Sequence, residues 1–300
     1  MRIDQLITPG EPCFSLEFFP PKTDDAVQAL FETVAELRAL SPAFASVTYG
    51  AGGATREGTL EIAGRIQADH GIETMAHLSC VGETVEGLEK ILKRIEKAGI
   101  ENVLALRGDP PRGVAEFETA DGGLSSAAEL AAFISKRYDF SIGATCFPEV
   151  HPEADSLEAD LAYLRTKVDA GAHFLVSQLF FDNAAFWSWQ AAARQAGIDV
   201  PILVGVLPIT SYKQLVRFCE ICEARIPAPL AAALEACNGD EAAERRLGIA
   251  YAARQCEELL AGGVAGIHFY TLNQAAATRA IVGALRAARP WDRAGPRAEG

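Results

Sequence analysis

The sequence has little positive charge for its size. Its 300 residues include 27 Lys and Arg against 40 Asp and Glu, a formal net charge of −13 at pH 7. This deficit argues against a nucleic-acid partner and against docking on an anionic membrane, because both surfaces attract basic side chains. No run approaches the ~20 apolar residues of a membrane-spanning helix, and residues 1–15 lack the charged-then-apolar pattern of an export signal. We therefore predict a cytoplasmic protein with neither kind of partner.

Cysteine does not form a framework in this chain. The seven cysteines are odd in number and scattered, and with 49% hydrophobic residues the chain can build its own core. We predict reduced thiols without disulfides. Cys219 and Cys222 have a C-x-x-C spacing, but no second pair of cysteines or histidines accompanies them, so the sequence predicts no metal site.

Several motifs of nucleotide and hydrolase chemistry are missing. The chain contains no P-loop and no G-x-S-x-G elbow, which excludes the usual phosphate-loop and serine-hydrolase classes. The glycine-rich segment 50–55 follows an apolar run, but Thr55 occupies the position of the third glycine in a G-x-G-x-x-G fingerprint. This segment is consistent with a flexible phosphate or substrate loop and equally with a tight turn.

One pattern is present and repeated: short apolar runs alternate with stretches of helical spacing. Several runs are apolar on both faces, as expected of parallel strands covered by helices. We predict an α/β protein, a single-domain (β/α)8 TIM barrel over residues 1–289, with an extra helical insertion at 231–260 and a flexible tail at 290–300. A doubly wound open sheet is the alternative. The predicted strands are 14–19, 44–48, 74–78, 103–106, 141–146, 174–178, 202–207 and 267–270.

Polar residues gather where these strands end, which is where a barrel of this kind places its chemistry. Glu17 lies inside an apolar strand, so it is either paired with a basic group or has a raised pKa suited to proton donation, and we favour the second. Arg107 and Asp109 could form an ion pair or face a cofactor together. For His77 a hydrogen-bonded core position is the commoner outcome, and His151 suits an ordered loop contact.

Five segments combine unusual residues in a fixed order along the chain. They are residues 14–22 (FSLEFFPPK), 46–50 (SVTYG), 105–109 (ALRGD), 147–153 (FPEVHPE) and 268–273 (HFYTLN). Together they resemble the bacterial 5,10-methylenetetrahydrofolate reductase family, colinearly from about residue 14 to residue 285. The resemblance implies an FAD-containing (β/α)8 barrel that binds flavin without a Rossmann domain, which agrees with the failed glycine fingerprint.

The activity that the resemblance implies is the reduction of 5,10-methylenetetrahydrofolate to 5-methyltetrahydrofolate. The electron donor would be NADH or NADPH, with NADH the bacterial norm. It would reduce FAD and leave before the folate binds, which is a ping-pong order. The reaction belongs to one-carbon metabolism and methionine biosynthesis. A homo-oligomer is also expected. The alternative is a folate-binding barrel without redox function, acting as a methyl-group carrier or partner subunit.

The resemblance also implies roles for particular residues. Glu17 would be the general acid, and Asp109 would act beside flavin and pterin, where its charge would stabilise a cationic iminium. Gln178, Tyr212 and Tyr270 would contact the folate. The implied flavin contacts are Thr48, His77, Arg107, Gly108, Asp109, Phe147, His151, Asp160 and Lys167. Two positions depart from many relatives: Phe147 replaces a tyrosine and Gln274 an arginine.

Overall fold

Eight parallel strands pair in chain order and close into a barrel in the computed structural model, which describes residues 1–48, 56–108 and 119–293. Closure comes from the pairing of the first strand with the last, in which Glu17 is in register with Tyr270. This confirms the predicted barrel and excludes the open sheet. The strands are β1 (Cys13–Phe18), β2 (Phe44–Val47), β3 (Thr74–Ser79), β4 (Asn102–Leu106), β5 (Ser141–Cys146), β6 (Phe174–Ser177), β7 (Ile202–Val206) and β8 (Gly266–Tyr270).

Helices surround the barrel and alternate with the strands. In the described residues they are α1 (Ile3–Leu6), α2 (Asp24–Arg38), α3 (Arg56–His70), α4 (Val85–Lys97), α5 (Ala127–Ser135), α6 (Leu157–Asp169), α7 (Asn183–Gln195), α8 (Tyr212–Cys222), α9 (Ala228–Glu235), α10 (Glu241–Ala261) and α11 (Ala276–Ala288). Helices α9 and α10 form the insertion that was predicted before the last strand. No helix in these described parts is both long and apolar enough to cross a membrane.

Helix α4 shows how local sequence produces these elements. Thr84 caps its start, because the threonine side chain accepts a hydrogen bond from the backbone N–H of Gly87. Leu88, Leu92 and Ile95 recur at spacings of three and four and are buried against the sheet. Basic side chains in the last turn complement the negative end of the helix dipole.

The barrel interior changes from apolar to polar along the strands. At the amino ends a closed apolar cluster fills it, built from Ile3, Cys13, Phe44, Met75, Leu104, Phe174, Val176 and Leu203. Ile3 comes from α1, which closes this end, and its backbone N–H donates to Oδ1 of the buried Asn102 at 2.7 Å. The next positions along β1, β2 and β8 are polar, so the chemistry of the barrel lies toward the carboxyl ends.

The chain after α11 turns into a short 3-10 helix, Pro290–Arg293. Trp291 packs edge-on against Phe14 of β1, with ring centroids 5.9 Å apart. Residues 294–300 lie outside the described part of the chain, so the flexible tail stays a prediction for them. Residues 49–55, with the glycine-rich segment, are also outside it.

Candidate active site

Glu17 of β1 lies at the centre of a polar cluster formed by four strands. Its Oε2 atom is 3.3 Å from Nε2 of His268 on β8 and 3.5 Å from Nε2 of His77 on β3. The hydroxyl of Ser46 on β2 donates to the same oxygen at 3.4 Å. The Glu17 side chain is 17% exposed, whereas His268 is fully buried. The Glu17 side chain is therefore more exposed than the side chains of the two histidines that contact it.

The pKa of Glu17 differs from the sequence-based expectation. Burial raises it, but the hydrogen bond with His268, the attraction to each histidine ring in its protonated form and the hydrogen bond from Ser46 together leave the pKa lowered from its ordinary value. The expected raised pKa is therefore wrong for this arrangement. The structure instead matches the other alternative, because the carboxyl group is paired with two histidines.

His77 is buried and its ring does not carry charge at neutral pH. Burial lowers the pKa of His77 to about 4, although the charge of Glu17 opposes the shift. Its Nε2 atom is within ion-pair distance of Glu17 but has no hydrogen-bond partner among the described residues. The buried Oγ1 atom of Thr48, just after β2, also has no partner there. Two predicted flavin contacts, His77 and Thr48, thus each have a buried polar atom with no hydrogen-bond partner in the described part of the chain.

Tyr270 of β8, which is in register with Glu17, is held by a backbone contact. Its hydroxyl donates to the carbonyl oxygen of Ser177 at 2.6 Å. Burial and the nearby charge of Glu17 raise the pKa of Tyr270 well above its ordinary value, so the phenol stays neutral. Gln178 follows Ser177 directly, and its Oε1 atom accepts from the N–H of Leu179 at 2.9 Å. Two predicted folate contacts, Tyr270 and Gln178, are therefore neighbours.

Arg107, which follows β4, belongs to a chain of polar contacts with the loop after β5. Its guanidinium donates two hydrogen bonds to the carboxylate of Glu153, at 2.5 and 2.7 Å. The N–H of Glu153 donates to Nδ1 of His151, and the N–H of His151 donates to Asp160. The ring of Phe147 meets the His151 ring edge-on at 4.5 Å. The structure thus brings four predicted flavin contacts together and adds Glu153, which was not predicted.

Asp160 and Lys167 extend this group onto α6, where both are buried. The Lys167 ammonium donates to the carbonyl oxygen of Thr145 at 2.7 Å. Burial lowers the pKa of Lys167 and raises that of Asp160, because each loses hydration of its charged form. Burial therefore shifts the pKa of both groups toward their uncharged forms.

The remaining predicted residues are more scattered. Tyr212 begins α8, and its hydroxyl donates to Glu235 of α9 at 3.0 Å. It packs on the same apolar cluster as Tyr270, which links the two aromatic residues indirectly. Gly108 has a left-handed φ of +90°, and a Cβ atom there would lie 1.9 Å from the Ser79 hydroxyl. Asp109 lies outside the described residues.

Three polar residues that contact Glu17 or its neighbour His268 had no role predicted from the sequence; including His268 itself, they are Ser15, Ser46 and His268. A signal was available, because alternate residues of a strand share one face: Ser15 precedes Glu17 by two positions, and His268 precedes Tyr270 by two. Among the described residues no group of three or more His, Cys, Asp or Glu side chains is arranged to hold a metal ion.

Comparisons with known proteins agree with the sequence motifs. A profile described as methylenetetrahydrofolate reductase matches residues 2–286. "Methylenetetrahydrofolate reductase (NADH) 1" of Arabidopsis thaliana is 43% identical over 283 residues, which cover 91% of this chain and 48% of that protein. "5,10-Methylenetetrahydrofolate reductase" of Escherichia coli (strain K12) is 37% identical over 272 residues, covering 91% of this chain and 90% of that one. The chain thus spans about half the length of the plant relative.

Among solved structures, a Clostridium thermocellum protein superposes with a TM-score of 0.67 at 15% sequence identity. The match covers 97% of this chain and 99% of the other, which is described as an uncharacterized protein that binds two copies of 5-methyl-5,6,7,8-tetrahydrofolic acid. At this identity the likeness supports the fold alone.

Proposed function

Because this chain belongs to the methylenetetrahydrofolate reductase family, we propose that it reduces 5,10-methylenetetrahydrofolate to 5-methyltetrahydrofolate, with FAD as its bound cofactor and NADH as the electron donor. NADPH is the second candidate donor. The observation that carries the proposal is the position of Glu17, a partly exposed carboxyl group with two histidines and a serine around one of its oxygens. The names of the relatives support the reaction, and the name of the plant relative supports NADH.

Glu17 is the residue we assign to proton donation. Opening the five-membered ring of the substrate requires a proton on the bridging nitrogen that leaves the methylene carbon. Folate binding over the mouth would remove water from Glu17, and desolvation raises the pKa of a carboxyl group. The lowered pKa of the free enzyme would then move toward the working pH as the substrate binds.

FAD, when bound, would store the hydride between the nicotinamide and the folate. The chain offers polar atoms suited to it. Thr48 Oγ1 and His77 Nε2 have no hydrogen-bond partner among the residues that the structure describes, and the cationic Arg107 and Lys167 match phosphate oxygens. Phe147 has no hydroxyl, so its contact would be apolar. The remaining assigned contacts are Gly108, Asp109, His151 and Asp160.

The folate and the dinucleotide would use the same mouth in turn, which is the proposed ping-pong order. Gln178 would present its amide to the pterin, and Tyr212 and Tyr270 would supply aromatic faces. The role of Asp109 near the reacting carbon rests on the Arg-Gly-Asp segment of the sequence alone. We also propose a cytoplasmic homo-oligomer whose other partners are these small molecules.

The Glu17→Gln variant tests the acid. We expect it to keep the yellow cofactor and its anaerobic bleaching by NADH but to lose folate reduction, because an amide has no proton of comparable acidity to give. Glu32→Gln, an exposed glutamate on α2, is the matched control and should behave as the unaltered protein. Folate reduction at the normal rate by Glu17→Gln would refute the assignment.

The visible spectrum of the purified protein tests the flavin. Oxidised-flavin bands that NADH bleaches and methylenetetrahydrofolate restores would support the reductase. A colourless protein that gains no colour with added FAD, yet binds folate, would favour the alternative of a non-redox folate-binding barrel.

A further inference from the structure

Helix α8 begins without a cap from the residue that precedes it. Ser211 occupies the N-cap position, but its side chain forms no capping hydrogen bond among the residues that the structure describes. In α4 and α6 the corresponding side chains of Thr84 and Ser156 accept from the helix backbone, as N-cap residues usually do. In α8 the backbone N–H of Tyr212 instead donates to Oε2 of Glu244 at 2.9 Å. The start of α8 is therefore held by a side chain of α10.

Glu244 is a buried glutamate with a defined position. It is 8% exposed, and a buried carboxyl group needs hydrogen-bond donors to offset its lost hydration. The N–H groups at the start of a helix are such donors, and the positive end of the helix dipole attracts a carboxylate. The turn of α10 that carries Glu244 is itself capped, because Asp240 accepts from the N–H groups of Ala242 and Ala243. Glu244 and the start of α8 therefore satisfy each other.

A glycine lets α10 approach the segment before α8 closely. Gly248 lies one turn after Glu244, and a Cβ atom there would be 2.2 Å from the carbonyl oxygen of Ile209 and 2.7 Å from its Cβ atom. Any larger residue would therefore displace the backbone of that segment. The close approach at Gly248 and the hydrogen bond from Tyr212 to Glu244 thus hold the chain between β7 and α8 at two points.

Helix α10 also bonds to the segment that follows β6. The hydroxyl of Tyr251 donates to the carbonyl oxygen of Phe181 at 2.5 Å, and the side-chain amide of Gln255 donates to the carbonyl oxygen of Phe180 at 2.9 Å. Because both acceptors are backbone groups, these bonds fix the path of the chain rather than one side chain. The same helix therefore braces the segments after β6 and β7.

We propose that Glu244 is a positioning residue for the folate, because it fixes the start of α8 and with it Tyr212. This rests on the proposed function, in which Tyr212 supplies an aromatic face to the substrate. The Tyr212 hydroxyl donates to Glu235 of α9 at 3.0 Å, so the residue is held at its backbone by α10 and at its ring by α9. In this role Glu244 acts through Tyr212 and takes no part in proton or hydride transfer.

The role predicts a loss of folate affinity with the chemical steps unchanged. Without the cap, the first turn of α8 would open in part of the population, and the affinity for a ligand falls with the fraction of protein that is competent to bind it. The proposed acid, Glu17, lies on β1, and none of the assigned flavin contacts lies on α8 or α10. FAD binding and the steps at saturating substrate should therefore be retained.

Glu244→Ala tests this role by steady-state and half-reaction kinetics. We expect its KM for methylenetetrahydrofolate to rise at least about fivefold, as the loss of a helix cap and of the binding-competent state implies. Its kcat, its FAD content and its rate of flavin bleaching at saturating NADH should stay within about twofold of the unaltered protein. Glu244→Gln keeps an oxygen that can accept from the N–H of Tyr212 and should recover most of the folate affinity.

A local cap should replace Glu244. Ser211 has the extended backbone of an N-cap residue, so Ser211→Asp can supply the missing acceptor. In the double variant Glu244→Ala/Ser211→Asp we expect the folate KM to return to within about twofold of normal, and this variant keeps the test available if Glu244→Ala folds poorly. Thr84→Ala removes the cap of α4 and is the matched control, which should lose stability in urea without a change in the folate KM.

The outcomes separate this inference from the proposed function. Unaltered protein that is bleached by NADH but never reoxidised by methylenetetrahydrofolate would refute the proposed function itself. Active unaltered protein with a normal folate KM in Glu244→Ala would refute only the positioning role. An equal rise of the folate KM in Thr84→Ala, or a raised KM that persists in the folded double variant, would indicate a merely structural effect and would also overturn the positioning role.

Discussion

Gly205 of β7 leaves the space in which the Tyr270 hydroxyl lies. A Cβ atom added at Gly205 would be 2.5 Å from the Tyr270 oxygen and 2.2 Å from the carbonyl oxygen of Ser177. These are the two atoms that form the 2.6 Å hydrogen bond closing this side of the candidate site. The lack of a side chain at Gly205 of β7 therefore leaves the room that the Tyr270 side chain of β8 occupies.

The first prediction follows from this contact. Gly205→Ala should lower the free energy of unfolding by about 1–3 kcal/mol, as overpacking of a tight core does, and should weaken folate binding because Tyr270 must move. Gly283→Ala is the matched control: Gly283 lies in α11 with nothing near its missing Cβ, so the alanine should stabilise the helix by up to about 1 kcal/mol. Urea unfolding and folate titration measure both effects. Unchanged stability and binding in Gly205→Ala would contradict the packing described for Tyr270.

A second prediction concerns the stability of the protein in mild acid. His77 has a folded pKa of about 4 against an ordinary 6.5, so the unfolded chain binds the proton first as the pH falls. The contribution of neutral His77 to the free energy of unfolding is complete above pH 6.5 and is lost as the pH falls from 6.5 to 4. Between pH 6.5 and 5 the loss is about 2 kcal/mol, at roughly 1.4 kcal/mol per pH unit.

Urea midpoints measured across that interval check this expectation. His77→Gln should flatten the pH dependence, whatever its stability at pH 7, because glutamine does not titrate. The interval lies above the ordinary pKa of a glutamate, so the lowered pKa of Glu17 acts only at more acid pH. An equally steep loss of stability in His77→Gln would show that another group takes up the proton.

The sequence was sufficient to predict the fold, because each strand and helix has a recognisable local pattern of apolar residues. The predicted strand 141–146 coincides with β5, and the predicted run 174–178 ends one residue beyond β6. Both strands are buried between the core and the helices, so continuous apolar runs predict them well. The motifs at the strand ends then placed Glu17, His77 and Tyr270 at one end of the barrel, where the structure has them.

What the sequence could not predict is which side chains pair across the barrel. The partners that lower the pKa of Glu17 include His268, which is 251 residues away along the chain. Arg107 and Glu153, 46 residues apart, are joined by the same kind of long-range contact. Such pairings depend on register and shear of the closed sheet, which local spacing does not contain.

A third prediction tests the phosphate role proposed for Arg107. Arg107→Ala should raise the dissociation constant of FAD at least about tenfold, since a hydrogen bond to a charged group is worth roughly 1.5–3 kcal/mol. Arg254→Ala removes an arginine that is 81% exposed and also paired with a glutamate, and it should leave FAD affinity unchanged. Flavin fluorescence titration of the apoprotein measures both. Normal FAD affinity in Arg107→Ala would restrict this residue to its contact with Glu153.

The last prediction separates the two ends of the barrel. Asn102 is fully buried at the closed end, where its side chain accepts from the N–H of Ile3 and donates to the carbonyl oxygen of Thr74. Asn102→Ala would remove both hydrogen bonds, and a buried group that is left unsatisfied costs about 1–3 kcal/mol. We therefore expect a loss of roughly 2–4 kcal/mol in the free energy of unfolding, with kcat unchanged at temperatures where the variant is folded.

The control for this variant is Gln28→Ala, which removes an exposed amide that donates to Glu32 one turn further along α2. It should change stability by less than about 0.5 kcal/mol. Parallel chemical unfolding and steady-state assays separate the effects, because the closed end contributes packing and the open end contributes reacting groups. If Asn102→Ala lost kcat while keeping its stability, the division of the barrel into a structural end and a reactive end would be wrong.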